Sequence, residues 1–423
     1  MRRAIHVWAL ALVSTVLMLT APALPAADSP PDPNKDNAEA RFGRVLDDIS
    51  SGKLPAALEE MSRLAERYPN WRLAHLVHGD LLLARTAAIA GFGNKADTTG
   101  ERLQDLRAEA QVRLRALRDP PPPGAIPRYL LQLDPAQRNA IVVDAGRSRV
   151  YVYANAGGTP RLVQDFYSTL GKNGIDKLRQ GDRRTPLGVY QVTAAIPGSK
   201  LPDLYGWGAF PISYPNAWDR MAGRTGSGIW LHGVPSDTYA RAPRASDGCV
   251  ALANADIAEL ATRVQVGVTP VIITDRIEWT TPEARREERE AFMGQLEAWR
   301  HDWESLDAGR YLAHYAREFR SDGMDIAAWS AHKRRVNASK GWIKVSLDNV
   351  SVFRSPGQKA LMVVSFDQDY RSSNLDKRTR KRQYWIMDRG RWRIAYEAPV
   401  GAAPIAFPDS FPRQRATLAQ RKR

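Results

Sequence analysis

The chain of 423 residues contains one cysteine, Cys249. It lies in Ser246-Asp247-Gly248-Cys249-Val250, and His232 stands seventeen residues earlier, in Leu231-His232-Gly233. A thiol attacks as its thiolate, so a nucleophilic cysteine needs an imidazole or backbone N–H groups to draw its pKa below about 8.5. His232 fits the first need. It follows Ile229-Trp230-Leu231, an apolar run that reads as a buried strand, and a base at a strand end is held rigidly. Gly248 lets the chain approach closely before Cys249, and a helix over residues 254–263 is expected just beyond. Backbone N–H groups in that turn are expected to stabilise an oxyanion. Thiol, base and turn together describe acyl transfer through a covalent thioester.

The N-terminus explains why the solitary cysteine is informative. Arg2 and Arg3 precede an apolar run over residues 7–19, and small residues and prolines follow to residue 27. Residues 1–27 read as a cleaved export signal, with an uncleaved membrane anchor as the alternative. The expected location is the periplasm or cell envelope. Exported proteins use cysteines in pairs, because an oxidising compartment bridges neighbouring thiols. A lone cysteine is either inert and buried or a free thiol kept for its reactivity. The net charge of +15 fits an anionic partner such as a cell-wall polymer or membrane surface, although a basic surface with no fixed partner is commoner. Export argues against nucleic acid.

Around this chemistry the chain divides into regions of different texture. Residues 28–37 are a polar, proline-rich lead-in, and residues 38–118 are helical. Leu54, Leu58, Met61, Leu64 and Ala65 recur at helical spacing. Tyr68-Pro69-Asn70 breaks that helix, a second is expected to residue 90, and a third over 100–117. The pair with Tyr-Pro at its turn resembles one tetratricopeptide unit. A single unit cannot bury its own face, so it reads as a packing or dimerisation element, and a homodimer through these helices is one expected partner. Residues 119–128, with Pro120-Pro121-Pro122-Pro123-Gly124, form a stiff linker.

Residues 129–276 are β-rich. Residues 283–318 are expected to form one long helix carrying Phe292, Leu296, Trp299 and Trp303 as core, followed by a helix over 326–336. Strands are expected at 342–353, 360–370, 382–387 and 392–396, so residues 283–400 make an α+β cone, and 401–423 a basic disordered tail. The run Lys377-Arg378-Thr379-Arg380-Lys381-Arg382 reads as a solvated hairpin turn, or alternatively as a patch steering the protein to anionic glycan or lipid. The expected fold class is multidomain α+β, with a helical N-terminal region, a β-rich catalytic domain and a C-terminal cone. On pattern alone the cone resembles the nuclear-transport-factor-2-like (NTF2-like) fold.

His232-Gly233 and Ser246-x-Gly248-Cys249-Val250 occur together with Gly171-Lys172, Gly181-Asp182-Arg183-Arg184-Thr185-Pro186-Leu187-Gly188-Val189-Tyr190 and Tyr214-Pro215-Asn216. In combination, over roughly residues 138–276, they resemble the catalytic domain of the L,D-transpeptidases (YkuD-like) of bacterial cell walls. The resemblance implies a substrate in peptidoglycan stem peptides. Cys249 would attack the L,D bond after the third residue of a tetrapeptide and expel D-Ala. His232 would be the base, oriented by a backbone carbonyl near Gly233. Gly233, Ser246, Asp247 and Gly248 would shape the catalytic loop and oxyanion site. The acyl group would pass to an amine in transpeptidation or to water in carboxypeptidation.

No metal or organic cofactor is implied, and a zinc site on His232, Asp247 and Cys249 lacks the four ligands a structural site needs. Arg183, Arg184, Arg241 and Arg244 are candidate ligands for stem-peptide carboxylates. Asp182 and Arg183 are expected to pair with each other in a turn bounding the cleft. Two positions depart from the commonest family form: Asp247 replaces a histidine and Ala251 an arginine. The overall layout is similar to L,D-carboxypeptidases that set helical cell shape. The Gly-Cys-Val-Ala-Leu-x-Asn stretch resembles the branch that detaches lipoprotein from murein. A catalytically inactive wall-binding protein is the non-enzymatic alternative.

Overall fold

The computed structural model describes residues 37–89, 91–94, 100–321, 323–357 and 360–401. The expected export signal, almost all of the expected lead-in, and all of the expected basic tail but Gly401 lie outside these residues. No described helix is long and apolar enough to cross a membrane.

Four helices open the chain: α1 (Ala38–Ser50), α2 (Leu54–Arg67), α3 (Arg72–Leu83) and α4 (Glu101–Arg118). The Asn37 side chain accepts from the Ala40 N–H to cap α1. Helical periodicity runs on through residues 51–53, yet the chain breaks there. Gly52 takes a left-handed φ of 73°, which ends α1 in the manner of a C-terminal glycine, and α2 restarts with Pro in its first turn. The second expected helix stops at Leu83 rather than at residue 90. Phe42, Met61, Leu64, Trp71, Leu73 and Val77 interlock as the core of this module.

Two sheets build the next domain. A five-stranded sheet runs in the order Thr159–Tyr167, Arg149–Ala156, Asn139–Asp144, Pro270–Thr274, Gly188–Gln191. A four-stranded sheet runs Val250–Ala251, Trp230–His232, Gly208–Pro211, Ile196–Pro197. Ile141, Val143, Val152, Leu231, Val250 and Ile273 fill the space between them, with helix Asn254–Ala261 packed alongside through Ile257 and Leu260. The pairs Asn139–Asp144 with Pro270–Thr274 and Trp230–His232 with Val250–Ala251 are parallel. Such strands are buried on both faces, which is why their sequences read as unbroken apolar runs.

The C-terminal domain wraps helices Pro282–Glu304, Ala308–Leu312 and Ile326–Ala338 against a sheet. Phe292, Leu296, Trp299 and Trp303 are core, as the spacing indicated. The single helix expected to residue 318 ends instead at Glu304. Leu306 adopts a left-handed φ of 62°, and the Asp307 carboxylate accepts from Gly309 N–H and Arg310 N–H to cap a new short helix. Residues Tyr315–Ser321 then form a strand parallel to Arg391–Pro399. The basic run 377–382 is no turn either; it lies inside strand Leu375–Asp388, where Arg378 and Arg380 face Asp369 and Asp367 across the ladder.

The sequence boundary at residue 129 is crossed by the chain. Leu130–Gln132 pairs antiparallel with Ile343–Arg354 and forms the edge of the C-terminal sheet. Successive residues of a strand face opposite sides. Accordingly Leu131 enters the C-terminal core with Trp299, while Leu130 enters a third core shared with the catalytic sheet. Ile126–Pro127, inside the expected linker, pairs with Trp279–Thr280. The buried Arg285 donates to Leu130 O at 2.7 Å and to Gly158 O at 2.6 Å, fastening the long helix to both domains.

Candidate active site

Parallel pairing puts Leu231 opposite Val250 and His232 opposite Ala251, so the two motifs lie side by side at the end of one ladder. Cys249 and His232 are both buried and line one cleft of about 280 Å³ together with Lys177, Tyr205, Arg183 and Arg241. His232 Nδ1 lies 2.5 Å from Gly233 O. A carbonyl only accepts, so Nδ1 carries the proton and Nε2 keeps a lone pair. The Tyr205 ring meets the imidazole edge-on at 5.0 Å and 69°.

The loop around the thiol is stapled by Ser246. Its hydroxyl donates to Cys249 O at 2.6 Å and accepts from Gly248 N at 3.1 Å. Gly248 has a φ of 124°, and a Cβ there would meet Arg184 O at 2.8 Å, so only glycine fits. The sequence assigned oxyanion duty to this loop, but two of its N–H groups are already committed. Gly248 N–H goes to Ser246 as above, and Gly233 N–H donates to Tyr205 O and Gly208 O, each at 3.1 Å.

Both reactive groups rest uncharged. Burial pushes the Cys249 thiol up to about 11; the Trp230 N–H works against this, Asp247 reinforces it, and Lys177 and Arg241 oppose it. Burial takes His232 down to about 4, with the Gly233 carbonyl resisting and Arg241 assisting. The proton therefore sits on sulfur until something draws it to Nε2.

Of the four arginines singled out by sequence, Arg183 and Arg241 line the cleft, whereas Arg184 and Arg244 do not. Arg184 donates to Ile175 O at 3.1 Å, and Arg244 is exposed on strand Arg244–Ser246, which pairs with Leu170–Gly171. The expected Asp182–Arg183 pair is not formed. Asp182 binds Lys177 Nζ at 2.8 Å and accepts from the N–H groups of Leu178, Arg179 and Arg184. Burial works against its charge, yet these partners hold the carboxyl down to about 2. Arg183 faces Asp247 instead at 3.7 Å, and Lys172 approaches the same carboxylate at 3.6 Å. Asp247 points outward, between two cations at the rim.

Sequence reasoning missed three members of the site. Lys177 has no motif around it, and neither does Tyr205. Asn254 closes the Gly-Cys-Val-Ala-Leu-x-Asn stretch, which was its only signal. Its Oδ1 accepts from Trp207 N at 2.9 Å and Val234 N at 3.2 Å, and its Nδ2 donates to Val234 O at 2.9 Å. One amide thereby fixes the chain on the far side of Gly233. Among the described residues no group of three or more His, Cys, Asp or Glu is placed to hold a metal ion.

Residues 138–273 match the L,D-transpeptidase catalytic domain (YkuD) family, and residues 291–398 match the Cds6 C-terminal NTF2-like domain family. The chain carries an L,D-transpeptidase catalytic domain followed by an NTF2-like domain. Among solved structures, Bd1075 of Bdellovibrio bacteriovorus is similar at 28% identity and a TM-score of 0.58, covering 67% of this chain and 99% of its own. Pgp2 of Campylobacter jejuni, described as a helical cell shape determining protein, is similar at 25% identity and a TM-score of 0.55, covering 64% and 95%. A single-substitution mutant of the same Pgp2 gives 24% identity and a TM-score of 0.56, covering 64% and 93%. No curated protein sequence matches the chain. The L,D-transpeptidase match contains Cys249, His232 and every other residue of the cleft, whereas α1–α4 lie outside both family matches.

Proposed function

We propose that this chain is an exported cysteine acyltransferase of the cell envelope that acts on peptidoglycan stem tetrapeptides. The observation that carries the reading is the cleft itself: one thiol and one imidazole, both buried, with the imidazole turned so that Nε2 is its free nitrogen. Cys249 Sγ attacks the L,D carbonyl while Nε2 takes the thiol proton. The C–N bond then breaks, and the proton leaves with the amine of D-Ala. Both groups are neutral at rest, so Nε2 takes the thiol proton before or as the C–S bond forms. The N–H groups of Asp247 and Cys249 are the candidate oxyanion donors, since that of Gly248 is taken by Ser246. Arg241, lining the cleft beside the thiol, is the candidate clamp for a substrate carboxylate.

An amine then attacks the thioester in transpeptidation, or water attacks in trimming of tetrapeptide to tripeptide. Trimming is the second reading. It is what the resemblance of the layout to L,D-carboxypeptidases that set helical cell shape implies, and the similarity to the helical cell shape determining protein Pgp2 supports a role in cell shape.

Purified protein incubated with tetrapeptide muropeptides, its products resolved by chromatography and mass, tests both readings. D-Ala release with 3→3 dimers supports transpeptidation, and release with tripeptide alone supports trimming. Cys249→Ala is expected to abolish release and the acyl adduct seen by intact mass. A Cys249→Ala variant that still restores every phenotype of a deletion strain would leave only a wall-binding role.

A further inference from the structure

The helical module lies against the part of the catalytic domain that carries Arg241. Between His232 and Ser246 the chain makes an excursion over residues 233–245, and its outer turn is docked on the junction of α2 and α3. Tyr239 stacks on Trp71 at 4.5 Å and 28°, and packs against Tyr68 at 5.0 Å. Tyr239 N–H donates to Asn70 O at 3.2 Å, and Asn70 Nδ2 donates to Ser236 O at 3.3 Å. Behind this contact Arg113 of α4 is buried, its guanidinium 5.1 Å from the Trp71 ring and 3.9 Å from the Tyr167 ring. Tyr167 closes the circuit: its hydroxyl donates to Arg241 O at 2.7 Å, and Thr169 Oγ1 donates to the same oxygen at 3.0 Å.

Two anchors thus bracket Arg241. One is the catalytic sheet, through its backbone carbonyl; the other is the helical module, two residues earlier, through Tyr239. The guanidinium between them donates to Ala245 O, a carbonyl of the same excursion, and Arg241 lines the cleft that holds Cys249. The thiol donates to Gly228 O at 3.4 Å, and its loop and the imidazole are fastened by Ser246, Gly233 and Asn254. Arg241 acts on Cys249 and His232 only as the weakest of their electrostatic influences, so an element that positions it controls binding more than chemistry.

We propose that the N-terminal helical module is a positioning element of the active site, with Tyr239 as the joint through which it sets Arg241 for recognition of a stem-peptide carboxylate. This rests on the reading of Arg241 as a carboxylate clamp.

The test is a double-mutant cycle in the full chain, following D-Ala release from tetrapeptide muropeptide. Losing one charge-assisted hydrogen bond corresponds to roughly a tenfold rise in KM. Arg241→Ala and Tyr239→Ala are each expected to raise KM by about that factor with kcat within about threefold. The double variant is expected to be no worse than either alone, as for residues acting through one contact. Tyr239→Phe, which keeps the stack, is expected to restore KM, and the rate of Cys249 alkylation by iodoacetamide is expected to stay within about threefold in Tyr239→Ala, because Arg241 is the weakest of the groups that act on the thiol. Should Tyr239→Ala not fold, Asn70→Ala, which removes only the Ser236 bond, carries the same cycle at smaller amplitude. Additive effects on KM, or a loss confined to kcat, overturn the proposal, as does an unchanged KM in Arg241→Ala. Absence of D-Ala release from the unmodified protein defeats the functional reading itself, and the proposal falls with it.

Discussion

Asn254→Ala is the most informative single change at this site, because it leaves the thiol and the imidazole themselves untouched. It deletes three hydrogen bonds, to Trp207 N, Val234 N and Val234 O. Each orphaned backbone group in a half-buried setting costs about 1 kcal/mol, so the segment Gly233–Val234 loosens by about 2–3 kcal/mol. Local opening by that amount accelerates amide exchange by about 30- to 150-fold. Hydrogen exchange followed by mass spectrometry on peptides covering residues 230–236 and 204–210 reads the effect, with strand Ile343–Arg354 as an internal reference. Gly233 O anchors His232 Nδ1 at 2.5 Å, so slack here reaches the base. A misplacement of about 1 Å costs on the order of 100-fold in rate, and kcat for D-Ala release is expected to fall accordingly. Exchange within about threefold of the unmodified protein, together with unchanged kcat, would refute the idea that Asn254 holds the base in place.

The uncharged resting pair makes further predictions. With the thiol pushed up to about 11, iodoacetamide alkylation of Cys249 is expected to accelerate about tenfold per pH unit from pH 7 to 10; a plateau near pH 8.5 contradicts this. With His232 held down at about 4 in the fold and ordinary when unfolded, the unfolded chain binds a proton that the folded one refuses. Stability therefore falls as pH drops from about 6.5 towards 4, by about 3 kcal/mol from this residue alone. His232→Gln is expected to flatten the difference between urea-unfolding midpoints at pH 7 and pH 4.5; an unaltered difference contradicts it. Gly248→Ala forces a Cβ to 2.8 Å from Arg184 O at a left-handed φ. It is expected to cost at least about 100-fold in kcat with the circular-dichroism spectrum preserved, and near-normal turnover would show the turn to be pliable.

The candidate site is legible in the sequence because it is written in short contiguous motifs. Cys249 with its glycine, and His232 after an apolar strand, need only local reading. The parts that escaped depend on contacts between distant segments or on single backbone angles. The long C-terminal helix stops at Glu304 because Leu306 turns left-handed and Asp307 caps a new start, while the charged and apolar pattern continues unbroken past that point. Asp182 was matched to its chain neighbour Arg183, but its backbone-cradled carboxylate faces Lys177. The basic run 377–382 looked like a turn by composition, although acidic residues on the adjoining strand neutralise part of it. The apolar face of α1–α4 suggested a dimer contact. Much of that face packs within the chain into the module's own core and against Tyr239, a pairing no window of sequence could reveal, while Leu54, Leu82 and Leu117 stay exposed.

The strand Leu130–Gln132 has a consequence for how this protein could be cut or recombined. It precedes the catalytic sheet in the chain, yet it completes the C-terminal sheet. Severing the chain at residues 277–282 would therefore strip the C-terminal piece of its edge and leave the catalytic piece with an apolar ribbon exposed to water. Leu131 would lose the aromatic core it enters. The two domains are sewn rather than strung together, and they are expected to unfold in a single step. Any hybrid that keeps one and replaces the other must carry residues 126–133 across with the C-terminal partner.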